Sequence, residues 1–236
     1  MSDPTEAHLE RVARFRAAST RRGGTWVAKR ELAAALRELL ARLPSTAAPA
    51  EAVRALLPHV REATRAFAAA GRAEPPSEAP SLYAGMEHFH DVGPLVGLSN
   101  PIAPPLALVF DREARVVRAH GRFGAAYEGA PGLLHGGFLA AAFDELLGMA
   151  TVFSGGPGMT RELSVRFHRP TPLDVELVFV GRFDRKEGRR IFVSAEVEAA
   201  GLRTAEASGV FTAVGGENFE AFARARRERS GRASGG

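Results

Sequence analysis

The sequence predicts an α+β fold in which a mostly antiparallel sheet wraps one apolar helix, with a helical extension in front. Three observations predict it. Residues 1–72 carry apolar side chains at helical spacing, whereas from Leu106 onward short β-like runs dominate. A single apolar segment, 137–152, interrupts those runs after the second. Glycine-containing turns separate several of the strands that follow.

Within the extension, Leu32, Leu36, Leu39, Leu40 and Leu43 recur at helical spacing over 29–43. Over 51–70, Val53, Leu56, Leu57, Val60, Thr64 and Phe67 form one stripe, with Pro49 able to open the helix and Gly71 to end it. An earlier helix is expected over 6–18, with Leu9, Val12 and Phe15 as its apolar face. The polar stretch 45–49 suggests a helical hairpin. The stripes must bury against each other, the rest of the chain or a second subunit. The heptads are too short-lived for a coiled coil.

Residues 73–105 read as a proline-rich linker followed by irregular chain, ending in Asn100-Pro101-Ile102-Ala103-Pro104-Pro105. The second folded unit is expected over 106–216, and a basic tail over 217–236. Expected strands are 106–111, 116–123, 159–168, 175–183, 191–199 and 203–214. Alternation is clearest in the fifth, where Phe192, Ser194, Glu196 and Glu198 oppose Val193, Ala195, Val197 and Ala199. Turn signals stand at 186–189 and 200–201. The order ββ-α-ββββ with one central helix is the hotdog plan.

The composition excludes several classes. No cysteine occurs, so there are no disulfides, thiolate ligands or cysteine nucleophile, which fits a cytoplasmic setting. The N-terminal residues lack the apolar core of a signal peptide, and no apolar run is read as long enough to span a membrane. The net charge of +4 suits an anionic partner. Zinc-finger and RNA-recognition spacings are missing, so nucleic acid is not expected. His88-Phe89-His90-Asp91 is read as a loop, because one histidine pair makes no metal site. No G-x-S-x-G elbow, P-loop or dinucleotide fingerprint occurs; Gly155-Gly156-Pro157-Gly158 reads as a turn. No cofactor is expected.

The chemistry concentrates in Leu134-His135-Gly136-Gly137 and Asp144. The first N–H groups of a helix lack internal partners and sit at the positive end of its dipole. Glycine there lets a carbonyl oxygen approach, so the Gly137 N–H can stabilise an oxyanion. Asp144 lies at the edge of the face formed by Leu139, Phe143, Leu146, Leu147 and Ala150, while Glu145 falls nearer the opposite side. Gly137 and Asp144 are about 10.5 Å apart along one helix, too far to share a thioester. Two such helices antiparallel across a dyad bring one subunit's Gly137 to the other's Asp144, so a homodimer is expected; hotdog dimers often pair again through their sheets, which leaves a tetramer open.

These residues resemble the phenylacetate-degradation type of hotdog thioesterase, in the 4-hydroxybenzoyl-CoA thioesterase superfamily. The resemblance spans about 106–214 and extends to Thr160, to Phe167-His168-Arg169-Pro170 and to Glu187-Gly188-Arg189-Arg190. It implies hydrolysis of an acyl-CoA or acyl-carrier thioester. Gly137 would polarise the carbonyl, His135 would shape the loop and touch substrate, and Asp144 would activate water or attack directly. Thr160 would position that water. Gly136 is expected beside the substrate. Arg169, Arg189 and Arg190, with Arg182 and Arg185, are candidates for CoA phosphates, against the simpler reading of exposed strand-end charge. His168 is read as structural. A non-catalytic acyl-CoA-binding or regulatory module is the alternative. A hotdog dehydratase is less suited, because His135 lacks the matching arrangement.

Overall fold

The computed structural model describes residues 23–71, 91–104, 106–156 and 158–214. The readings made for 6–18, for 72–90 including His88 and His90, for Pro105 and Pro157, and for the tail lie outside these residues.

Two long helices open the described chain: α1, Gly23–Arg42, and α2, Ala50–Ala69, joined through a 3-10 turn at Leu43–Ser45. Strands β1 (Ala107–Asp111) and β2 (Val116–Gly121) follow, then the central helix α3 (Gly136–Ala150). The chain ends with β3 (Gly158–Phe167), β4 (Leu177–Glu187), β5 (Arg190–Ala199) and β6 (Leu202–Ala213). All six strands form one antiparallel sheet in the order β1-β2-β4-β5-β6-β3.

The sheet curls around α3. Ile191, Val193, Ala195, Val197 and Ala199 of β5 turn inward and are buried, as the alternation requires. They meet Leu139, Phe143, Leu146, Leu147 and Ala150 of α3, the face expected from the sequence. Two glycines set how closely helix and sheet approach. A methyl at Gly181 of β4 would stand 2.9 Å from Leu146 Cγ, and one at Gly209 of β6 would stand 2.7 Å from a Phe211 ring carbon.

Three expectations change. Strand β4 runs four residues beyond its expected end, because Glu187 pairs with Arg190 and the hairpin closes on Gly188-Arg189, with Gly188 at φ +58°. Together with the 3-10 turn after it, α3 forms a segment, Gly136–Ser154, of 19 residues. By length and composition alone that segment could cross a membrane, which corrects the reading that no run is long enough. It is the helix the sheet encloses. Lastly, the helical hairpin does not close. Helix α1 docks on the body through Ala33, through Arg30 to Asp91 (2.7 Å) and through Arg37 to the carbonyls of Leu98 and Asn100. Helix α2 has no buried residue, and the apolar stripes of both helices stay exposed.

Candidate active site

The loop before α3 is fixed by backbone bonds. Leu134 N–H donates to Thr171, His135 N–H to Tyr127, and Gly129 N–H to Leu133. Gly132 takes the left-handed φ of +74° that the tight return at Pro131-Gly132 requires. This delivers His135 to the N-cap position of α3.

The cap is the imidazole itself. His135 Nδ1 accepts the Gly137 N–H at 3.0 Å, so that nitrogen carries no proton in this arrangement. The expected oxyanion donor is therefore occupied by a neighbour. Among the described residues the N–H of Gly136, the first helical residue, has no acceptor. Gly136 and Gly137 are both exposed. An edge-to-face aromatic series leads away from this point: His135 with Phe138, Phe138 with Tyr127, Tyr127 with Phe123. Helix α1 rests against the 3-10 turn Ala125–Tyr127 that carries the middle ring.

Two turns along α3, Asp144 accepts a hydrogen bond from the Thr160 hydroxyl at 2.8 Å. Strand β3 runs back along the helix, which is why residues sixteen apart meet. Its far end brings the Phe167 ring against Gly136, where a methyl would lie 3.4 Å from the ring edge. Thus β3 spans the site from Asp144 to the helix start. It is also one of the sheet's two edge strands, with Met159 and Phe167 more than half exposed.

Glu145 was not expected to matter. Its Oε1 is buried and lacks a hydrogen-bond partner among the described residues. Burial pushes its carboxyl above the ordinary range, and the neighbouring Asp144 adds to the shift. The adjacency of two acids on an apolar helix is the signal a sequence reading could have used.

The arginines do not converge within one subunit. Arg169 donates to the Arg203 carbonyl at 2.8 Å near the start of β6, and Arg189 reaches the Ala213 carbonyl at its end. Those carbonyls are about 33 Å apart along the strand. Arg190, exposed at the start of β5, shares the Arg189 end. Arg182 pairs with Glu196 and Arg185 with Glu187, while Arg185 also stacks on Phe192. His168 faces Glu206 at 3.3 Å. A depression on the sheet's outer face is lined by Arg182, Glu196, Arg203 and Glu206, which pair with one another across it. It lies across the sheet from Asp144. No group of three metal-ligating side chains occurs among the described residues.

Residues 131–206, which hold the loop, α3 and most of the sheet, match the family model of the thioesterase superfamily. A crystal structure of a thioesterase superfamily protein superposes with a TM-score of 0.62 at 30% identity, covering 78% of this chain and 94% of that one. The chain belongs to the thioesterase superfamily. Since 106–214 is less than half of the chain, the likeness to that superfamily structure takes in part of the helical extension as well. Two curated superfamily relatives are similar over shorter stretches. Acyl-coenzyme A thioesterase THEM4 of Bos taurus is 42% identical over 86 residues, 36% of this chain and 35% of the relative. Acyl-coenzyme A thioesterase THEM5 of Homo sapiens is 36% identical over 91 residues, 37% and 36% of the two chains. The match thus spans about a third of the length of these relatives.

Proposed function

We propose that this chain hydrolyses an acyl-CoA or related acyl thioester to a free acid and a thiol. One observation carries the reading: a carboxylate held by a threonine hydroxyl, two turns from a glycine-lined helix start. Asp144 takes a proton from water as the water oxygen bonds to the thioester carbon. The charge moves to the carbonyl oxygen, which competes with the His135 imidazole for the Gly137 N–H while the Gly136 N–H stands open beside it. Collapse breaks the C–S bond, and the leaving sulfur recovers the proton from Asp144.

Both halves of this apparatus cannot act on one thioester within a subunit, being about 10.5 Å apart along the helix. A dyad through the free edge of β3 would join two sheets and set the helices antiparallel, with Gly137 of one subunit before Asp144 of its mate. The unpaired edge of β3 and its course between the two halves of the site support that arrangement. Arg169 of one subunit and Arg189 and Arg190 of the other would then approach a single site from two chains. The relatives named as acyl-coenzyme A thioesterases support CoA as the thiol.

The test is thiol release over short, long and aromatic acyl-CoAs with the wild type and Asp144→Asn. Hydrolysis by the wild type, lowered about 10²–10⁴-fold in the variant, is expected of a lost general base. Stoichiometric acyl-CoA binding with no thiol released across the panel would replace this reading by the binding-module one.

A further inference from the structure

The Tyr127 hydroxyl takes no part in the reaction above, yet a run of hydrogen bonds passes through this residue from α1 to the start of α3. The phenol is half-buried, and a phenol so placed needs a hydrogen-bond partner. It donates to the Ile102 carbonyl at 3.0 Å. Ile102 lies in irregular chain whose backbone is held by side chains and turns. Asn100 Oδ1 accepts the Ile102 N–H at 3.1 Å. Arg37 of α1 donates to the carbonyls of Asn100 at 2.9 Å and Leu98 at 3.2 Å.

On its other side Tyr127 reaches the site. Its carbonyl accepts the His135 N–H at 3.0 Å, and His135 Nδ1 accepts the Gly137 N–H. Its ring meets Phe138 edge to face with centroids 5.0 Å apart, so it also bears on the first turn of α3. The loop 128–135 is exposed over 128–132. It is anchored to 171–173 by backbone bonds from Leu134 to Thr171 and from Leu173 to Gly132, and to Tyr127 by the His135 N–H. A loop with few anchors opens locally at a free energy that those anchors set.

We propose that Tyr127 is a positioning residue whose hydroxyl moors the loop 128–135, and with it the helix-start amides, to the segment that α1 clamps. The helical extension thereby serves the site without touching substrate. The effect on rate rests on the hydrolase reading; the mooring of the loop does not.

Two full-length variants test this. Tyr127→Phe keeps the carbonyl and both ring contacts and removes only the hydroxyl. Arg37→Met removes the clamp. Amide hydrogen exchange over 128–137 should quicken in both, by about 3–10-fold in Tyr127→Phe for the loss of one neutral hydrogen bond, while β5 exchanges as in the wild type. Added to Tyr127→Phe, Arg37→Met should quicken 98–104 and leave 128–137 no faster. In thiol release, Tyr127→Phe should lower kcat about 3–10-fold and hold KM within about twofold, because oxyanion contacts strengthen only in the transition state. A merely structural hydroxyl would lower the melting temperature and leave kcat of the folded enzyme alone. Unchanged exchange over 128–137 in Tyr127→Phe, additive effects of the two substitutions there, or an unchanged kcat in an active enzyme overturns the proposal. If the wild type releases no thiol from any acyl-CoA while exchange behaves as expected, the hydrolase reading falls and the mooring stands.

Discussion

The Thr160–Asp144 hydrogen bond can be separated from any direct part Thr160 plays. The hydroxyl donates to Oδ1 at 2.8 Å, and a bond to an ionised acceptor contributes about 1.5–3 kcal/mol. Both residues are reached by solvent, so water replaces part of that, and the lower end applies. Thr160→Val keeps the shape and removes the donor. At about 1.4 kcal/mol per factor of ten, kcat/KM should fall roughly 10-fold and not beyond 100-fold. Asp144→Asn keeps an oxygen that can accept the Thr160 bond, so the fold and melting temperature should hold while kcat/KM falls about 10²–10⁴-fold. The double variant decides the matter. If Thr160 acts only by aiming the carboxylate, Asp144→Asn with Thr160→Val is no slower than Asp144→Asn alone, and the coupling equals the whole Thr160 effect. Thiol release under single-substrate conditions measures all four corners. Additive losses would refute the positioning role and place Thr160 on the water or the substrate directly.

The two glycines at the helix start should respond differently. A methyl at Gly137 meets His135 Nδ1 at 3.0 Å and must displace the capping ring, so Gly137→Ala should lower kcat/KM well below Gly136→Ala, whose methyl meets only the Phe167 ring at 3.4 Å. His135→Ala removes the cap at a cost of about 0.5–2 kcal/mol, whereas His135→Asn retains an acceptor and most of the stability, as thermal melts would register. Gly181→Ala drives a methyl to 2.9 Å from Leu146 Cγ and should cost about 1–3 kcal/mol, read as a lower urea midpoint. Glu145 binds its proton more tightly folded than unfolded, so stability falls as pH rises from the ordinary carboxylate value through the raised one, and the full penalty stands above it. Glu145→Gln should therefore match the wild type in acid and exceed it at neutral and alkaline pH in denaturant titrations; a constant difference across pH would remove the argument.

Much of the fold was legible because the strands of the sheet obey local rules. The alternation from Ile191 to Ala199 names its buried face without knowledge of its neighbours, and the α3 stripe does the same at helical period. Boundaries failed where pairing overrode composition. Lys186 and Glu187 look like turn residues, yet both remain in β4 because the partners Ile191 and Arg190 extend the ladder to a two-residue loop. The site divides along the same line. A glycine-lined helix start followed by a carboxylate is written in nine consecutive residues, so Gly136, Gly137 and Asp144 could be named. The Thr160 contact with Asp144 depends on β3 folding back along α3, and only the family resemblance pointed to that residue.

His135 shows where local reasoning stops. The Gly137 amide was expected to be free at the helix start, because the first turn has no internal acceptors. That rule says nothing about a side chain one position earlier. Here the residue before the glycines carries an imidazole nitrogen, and the N-cap geometry turns it back onto Gly137. The resting site is thus half closed by its own cap. A substrate oxygen that takes the Gly137 N–H must displace an existing hydrogen bond, whereas one that takes the Gly136 N–H displaces none among the described residues. The same exchange gives a reason for histidine at this place: the imidazole satisfies a helix-start donor when no substrate is bound, so the amide needs no water to hold it in readiness. Glycine at 137 then serves twice, giving room to the ring in one state and to the thioester oxygen in the other, and a methyl there would obstruct both.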